Sequence, residues 1–396
     1  MSPLRQAPSP LTAADASLRA SYIAEVLQTL YPSSDAGPST EFVAVPNARR
    51  PRLLVPAGSR RVAAGAVRRY AQPAARTARL KRDLAAWALR TGVDRALLRD
   101  RITVTGADTI DSYLRTVLDR DVAISVHIGP ARANRKPVLQ LLSPEGETVG
   151  FAKLGTNALT RRLVRLEATA LAALHHARLS TVVIPRILHT GRWQGHEVLV
   201  QEALPAWQPR RPARLRLPAA MREVASCLGI TAAPLRRSPY LAALAGRLSI
   251  VDGGPLRGAV LALVDRRGHT ALEFGAWHGD WAPWNMAALA DSVLVWDWER
   301  FTPGVPLGFD AIHHELQLRL ERGEDAGTAV DATLAAVPAL LATFAVAPDA
   351  AEVTALLYLI DLATRYLADR QAEAGARLGV LGSWLLPVLV RRVGEL

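Results

Sequence analysis

Asp280, Asn285 and Asp297 stand in two short segments. The first is Trp277-His278-Gly279-Asp280-Trp281-Ala282-Pro283-Trp284-Asn285, and the second is Val295-Trp296-Asp297-Trp298-Glu299. The spacing puts an amide five residues after a carboxylate and a second carboxylate twelve residues after the amide. A chain with this pattern has to hold several hard oxygen donors around one point, which requires a fixed loop and a strand to carry them. Phosphoryl transfer from a nucleoside triphosphate uses this inventory. One carboxylate faces the acceptor hydroxyl, and an amide with a second carboxylate holds Mg²⁺ on the phosphates.

The chain has 396 residues, half of them hydrophobic and 21% charged, enough for two or three packed units. No apolar run reaches the ~18 residues of a membrane span. The first residues, Met1-Ser2-Pro3-Leu4-Arg5-Gln6, show no apolar signal core. A single cysteine, Cys227, excludes an intramolecular disulfide and a cysteine-cluster metal site. The expectation is a soluble cytoplasmic protein with no membrane partner. The net charge of +12 is concentrated before residue 300. Such charge suits nucleic acid or an anionic surface, yet no recognition helix, zinc finger or aromatic-basic motif accompanies it, so nucleic acid is disfavoured as the partner.

Along the chain, residues 1–40 read as a flexible or partly helical segment with one amphipathic stretch, Ala14 to Leu30. Residues 41–120 read as a small α+β extension. Strands are expected at 41–45, 52–56 and 101–104, and helices at 60–70, 75–90, 93–99 and 111–118. Its apolar set Leu53, Leu54, Val55, Leu84, Trp87 and Leu89 is too large for a free tail. The outer face of the next unit is its expected partner, and capping a cleft to select an acceptor is the alternative. Residues 121–204 read as five strands with a helix, Thr160 to His175, after the third. From residue 205 onward the pattern is mainly helical, broken by the two opening segments.

Lys153, in Gly150-Phe151-Ala152-Lys153, is a third-strand lysine whose ammonium suits the α and β phosphates of ATP. Glu167, fourteen residues on in the helix, suits holding that lysine. Asp280 is the candidate base, and Asn285 and Asp297 are the candidate metal ligands. His278 reads as a brace for the loop. Glu299 suits either the metal or a helix cap. Asp310, in Gly308-Phe309-Asp310, reads as an anchor for the loop after the metal site or as a helix cap. The loop from Gly129 to Lys136 holds one Gly where phosphate loops hold three. Its backbone at Gly129 and the side chains of Arg132 and Asn134 are candidate phosphate contacts. Glu202-Ala203-Leu204-Pro205 is the expected hinge, with the backbone at Glu202 and Leu204 meeting the adenine edge.

His278-Gly279-Asp280-x-x-x-x-Asn285 with Val295-Trp296-Asp297-Trp298-Glu299, supported by Lys153, Glu167 and Gly308-Phe309-Asp310, resembles the aminoglycoside phosphotransferase and choline kinase family. The resemblance covers about residues 121–396, and the preceding unit is similar to the cap of maltokinase-like sugar kinases. It implies an α+β, bilobal protein-kinase-like fold, with a five-stranded antiparallel small lobe over 121–204 and a mainly helical large lobe over 205–396. It also implies ATP with Mg²⁺ as cofactors and a small-molecule hydroxyl as acceptor. No Ala-Pro-Glu-like motif follows Asp297, which argues against a protein kinase.

The acceptor is left open among sugars, amino sugars and antibiotic-like metabolites. The acid surplus after residue 300 (Glu315, Glu321, Glu324, Asp325, Asp361, Asp369) is blunted by Arg319, Arg322, Arg365 and Arg370. The basic run 209–216 suits an anion or is a solvated loop. The alternative function is a non-catalytic nucleotide-binding regulator on the same fold, with a binder of nucleic acid or anionic surfaces behind it.

Overall fold

The computed structural model describes residues 13–32, 37–49, 51–70, 76–129, 135–211, 216–251, 253–369 and 391. Arg132, Asn134, Arg370 and part of the basic run 209–216 lie outside them. The chain divides into two compact units. The first comprises residues 1–130, 136–156 and 188–203, and the second comprises 131–135, 157–187 and 204–396.

The elements up to residue 202 are α1 (Ala13–Leu30), β1 (Ser39–Val45), β2 (Leu53–Pro56), α2 (Arg60–Tyr70), α3 (Arg76–Thr91), α4 (Asp94–Leu97), β3 (Arg101–Thr105), α5 (Ile110–Leu118), β4 (Ala123–His127), β5 (Val138–Leu142), β6 (Thr148–Gly155), α6 (Ala158–His176), β7 (Val182–Val183), β8 (Ile187–Trp193) and β9 (His196–Glu202). The five expected strands after residue 121 are present as β4, β5, β6, β8 and β9. The helix expected over 93–99 shrinks to the single turn α4.

Those five strands are only part of their sheet. Among the described residues the first unit holds one eight-stranded sheet, ordered β3-β1-β2-β4-β5-β6-β9-β8. The joint is antiparallel pairing of β2 with β4, where Leu53 meets His127 and Leu54 meets Val126. The extension therefore adds to the sheet edge-on. Its helices also lie over the lobe's strands, as its apolar content suggested: Ile110 and Leu114 of α5 share a core with Ile124, Val126, Leu139 and Leu141, and Val62 and Ala66 of α2 share one with Leu142. The alternation along β1 and β2 explains why. Phe42, Ala44 and Leu54 point to one side, where α1 and α5 cover them with Ile23, Leu27, Leu30, Ile110 and Leu114. Val43, Leu53 and Val55 point to the other side, where Val62, Ala66 and Leu89 of α2 and α3 cover them. A strand with both faces apolar needs a helix layer on each side, and its open edge then continues the sheet. Leu84 and Trp87, expected in the apolar set, are exposed at 55% each and do not share in that core.

The second unit holds α6, β7, α7 (Arg216–Ser226), β10 (Thr231–Pro234), α8 (Pro239–Ser249), α9 (Gly254–Arg267), β11 (Ala271–Trp277), β12 (Met286–Ala288), β13 (Val293–Val295), β14 (Thr302–Pro306), α10 (Phe309–Glu321), α11 (Ala326–Ala342) and α12 (Pro348–Ala368). Short strands interrupt the expected helical run, in sheets ordered β10-β11-β14 and β12-β13-β7. The core centres on α12, buried without a break from Val353 to Thr364. A helix apolar on all sides belongs inside a bundle. Here α8, α9, α10 and α11 supply Leu244, Leu263, Ile312 and Leu341 around it. No helix among the described residues is long and apolar enough to cross a membrane.

Deleting residues 1–120 should strip β4 of its pairing partner and uncover Ile124 and Val126, which are buried in the intact protein. Exposed strand edges and apolar patches of this kind drive aggregation. The truncated protein is expected in the insoluble fraction, or as soluble aggregate by size-exclusion chromatography. A soluble monomer with a cooperative thermal transition would contradict the edge-strand role.

Candidate active site

The site is built where β11 ends. Asp310, second residue of α10, accepts the backbone N–H of His278 at 2.7 Å and of Gly279 at 3.2 Å. It therefore anchors the loop that carries Asp280, and not the loop after the metal site. Burial pushes its carboxyl up to about 7, against the two N–H bonds that favour the ionised form. Gly279 turns the chain at φ +83°, and a Cβ there would stand 2.4 Å from the Arg300 carbonyl oxygen. Only glycine meets both conditions. The Gly279 carbonyl in turn accepts from the Arg365 guanidinium of α12, which also lies over the Trp277 ring, 5.7 Å from its centroid.

His278 is fully buried. Its Nδ1 accepts the Asp280 backbone N–H at 3.1 Å, and its Nε2 lies 3.1 Å from the Trp296 carbonyl oxygen. An N–H only donates and a carbonyl only accepts, so the ring is a neutral Nε2–H tautomer. Burial pushes its pKa down to about 4, in agreement with that. The ring braces the Asp280 loop against the Asp297 strand, as the sequence suggested, and it is not placed to move protons.

Asp280 presents a side chain one-third exposed, whereas the braces His278 and Asp310 are buried. Its Oδ1 accepts from His313 at 3.1 Å. Its Oδ2 accepts from Asn285 Nδ2 at 2.9 Å, and the same Nδ2 reaches the Asp280 carbonyl at 2.9 Å. Burial would raise this carboxyl, but its interactions with His313, and after them the Arg365 charge, outweigh it and hold it at about 2. Because Asn285 spends its amide N–H groups on Asp280, its carbonyl oxygen is left to face elsewhere.

Asp297 reaches the same region through a hairpin. β12 and β13 pair with Met286 opposite Val295, and Trp296 N–H donates to the Asn285 carbonyl at 3.1 Å. Asp297 follows in the left-handed conformation, φ 72° and ψ 51°. This is uncommon for a non-glycine residue, though Asp tolerates it better than most. One carboxylate oxygen each of Asp297, Glu299 and Glu167 lie within 4.8 Å of one another. Glu299 thus belongs to this carboxylate cluster. Glu167, in α6, brings a buried carboxylate to the same cluster. Hard oxygens at this spacing fit a divalent cation.

Lys153 lies in the first unit, buried in β6 opposite Leu199 of β9 and Val138 of β5. Gly129 follows β4 in the same unit, with nothing within 4 Å of a Cβ built on it. Glu202 ends β9 opposite Gly150. Leu204, in the second unit, packs against Ala287, Leu289 and Leu294. Of the motif tryptophans, Trp277, Trp281 and Trp298 are buried, and only Trp284 is exposed, at 44%.

Sequence reasoning missed three supports. His313 stood in a helix with no motif around it. Asp369 counts in the sequence only toward the acid surplus after residue 300, and Arg365 only as a charge that blunts it. Instead Arg365 holds Gly279, and Asp369 pairs with Arg300. Asp361, from the same acid surplus, pairs at 2.5 Å with Arg247 and accepts from Tyr240 at 3.1 Å. The only available signal was the i, i+4 spacing of Asp361, Arg365 and Asp369 on one face of a helix otherwise rich in apolar residues.

No protein-family model matches this chain, and no curated protein does. Some solved structures are distantly similar to it. A thermostable mutant of aminoglycoside phosphotransferase APH(4)-Ia, in complex with ADP and hygromycin B, is 13% identical. It covers 72% of this chain and 98% of its own, with a TM-score of 0.47. Spectinomycin phosphotransferase APH(9)-Ia, in complex with ADP and spectinomycin, is 11% identical over 72% of this chain and 98% of its own, with a TM-score of 0.40. A choline/ethanolamine kinase family protein from Mesorhizobium loti is 18% identical over 67% and 91%, with a TM-score of 0.29. Likeness this distant leaves the chemistry to be argued from the residues themselves.

Gly279→Ala should disable the site from within. Overpacking costs about 1–3 kcal/mol, and a left-handed alanine adds about 1 kcal/mol. A lowered midpoint in thermal unfolding, with loss of whatever turnover the wild type shows, is the expected result. An unchanged melting curve would mean that the turn relaxes freely.

Proposed function

We propose that this protein is a small-molecule kinase, transferring the γ-phosphoryl group of ATP to a hydroxyl of a sugar, amino sugar or antibiotic-like metabolite. The observation that carries this reading is the Asp280–Asn285 contact set against the Asp297–Glu299–Glu167 cluster by one hairpin. A partly open carboxylate is thereby fixed beside a set of hard oxygens.

Asp280 holds and orients the acceptor hydroxyl and takes its proton as the oxygen attacks. Its Oδ1 and Oδ2 each keep a lone pair after the bonds from His313 and Asn285. Asp297, Asn285 and Glu299 would hold Mg²⁺, which supplies charge neutralisation on the β and γ phosphates. Lys153 is assigned to the nucleotide phosphates, and Glu167 to either that lysine or the metal cluster. Gly129, Glu202 and Leu204 remain proposed nucleotide contacts through their backbones. The neutral His278 and the anchored Asp310 keep the loop in place without taking part.

The regulator alternative would need the same nucleotide site without a usable base. The exposed face of Asp280 favours the enzyme reading. ADP release measured across sugars, amino sugars, aminoglycosides and macrolides separates the two, since a regulator releases none above the acceptor-free rate.

With an accepted substrate, Asp280→Asn should lower kcat by about 10²–10⁴-fold, the usual worth of a positioned base. Nucleotide affinity should stay near that of the wild type. A loss smaller than about tenfold would move the base elsewhere.

Asp297→Ala should remove the Mg²⁺ dependence of nucleotide binding, because the phosphate charge loses its carboxylate-held counter-ion. Calorimetric titration of ATP at graded Mg²⁺ checks this, and an unaltered dependence would relocate the metal.

A further inference from the structure

We propose that His313 and Tyr358 form a buried positioning relay that clamps the Asp280 carboxylate in the rotamer needed to receive the acceptor. His313 lies on α10 and Tyr358 on α12, and both side chains are essentially inaccessible. Neither belongs to the motif that carries Asp280, and the role deepens the phosphotransfer reading on which it rests.

The direction of the hydrogen bonds follows from chemistry. An ionised carboxylate only accepts, so His313 Nε2 carries the proton that it shares with Asp280 Oδ1 at 3.1 Å. In a neutral ring Nδ1 is then an acceptor, and the Tyr358 hydroxyl, 2.9 Å away, donates to it. Burial favours the neutral ring. The order is therefore Tyr358 O–H to His313 Nδ1, then His313 Nε2–H to Asp280 Oδ1.

The relay has a mechanical consequence. A carboxylate turns easily about its terminal torsion, where the energy wells are broad and two-fold. Asn285 restrains only Oδ2, and Asn285 is also a proposed metal ligand. His313 supplies a second, independent restraint from the protein interior. Its ring is itself fixed by Tyr358 and by edge-on contact with Trp277, at 6.5 Å between centroids. Tyr358 in turn meets Phe309 at 5.7 Å, next to the anchor Asp310. The orientation of the base is thus set by the core of the second unit. A neutral donor suits the task, because a cation in its place would pair with Asp280 and reduce its pull on the acceptor proton.

The test compares His313→Leu, His313→Gln and Tyr358→Phe in the full chain. Glutamine can offer an amide N–H near the former Nε2, and leucine cannot. With an accepted substrate, His313→Leu should lower kcat by about 10–100-fold, as loss of an outer-shell partner usually does, with KM for ATP nearly unchanged. His313→Gln should recover most of that loss. Tyr358→Phe keeps the ring and its packing, and should lower kcat about tenfold or less. Equal losses in the Leu and Gln variants at similar thermal stability, or full turnover in His313→Leu, would overturn the clamp. Should His313→Leu fail to fold, the Tyr358→Phe and His313→Gln values decide alone, full turnover in Tyr358→Phe counting against the relay. ¹⁵N imidazole spectra of the wild type need no acceptor. They should report His313 as the neutral Nε2–H tautomer, altered in Asp280→Asn. Any other tautomer overturns the clamp, whereas a wild type with this tautomer and no acceptor activity overturns the kinase reading and leaves the clamp standing.

Discussion

The carboxylate of Asp310 is the fixed point of the second unit. It takes two consecutive backbone N–H groups at the end of β11, donors that would otherwise be buried without partners. With the loop tied there, Gly279 turns left-handed under the Arg300 carbonyl, and Asp280 emerges on the far side of the turn. His278 then spans to the Trp296 carbonyl and ties this loop to the Asp297 strand. Each later contact in the site presupposes this one. Two later helices hold the same point, since α10 supplies the anchor and α12 supplies Arg365 against Gly279.

Asp280, Asp297, Glu167, Glu299 and Asp310 put five carboxyl groups in one neighbourhood of the second unit. Like charges so close repel, and burial makes the repulsion worse. The protein answers with cations beside the loop. Arg365 stands behind Gly279, and Arg300 is held by Asp369. The carboxyl groups are thus partly balanced by charges held within the same unit. The two arginines are therefore structural and electrostatic at once.

Much of this was legible in the chain. The strands of the first unit follow period-two alternation and turn residues, and β5 and α2 match the expected ranges to the residue. Asp280, Asn285 and Asp297 stand close in the sequence, and a loop and a hairpin set their geometry locally. What was not legible depends on long-range packing. Alternation places Leu54 and Leu53 on opposite faces, but it does not say that the free edge of β2 pairs with β4. His313 and Tyr358 are 45 residues apart and meet only because α10 packs on α12. Leu84 and Trp87 have core-like character and sit on the outside of α3 all the same. Helical spacing cannot say which side of a surface helix meets the sheet.

The β2–β4 joint carries a consequence for how the chain assembles. The extension precedes β4 in the sequence, so during synthesis it emerges first. It can bury both faces of β1 and β2 with helices that are already made, α1 on one side and α2 with α3 on the other. What it then presents is a row of unpaired amides and carbonyls along β2. Such an edge is a template, and the next strand to leave the ribosome is its natural complement. The extension would thus serve the lobe as an internal folding seed, deciding where β4 lands before the four strands that follow have partners of their own.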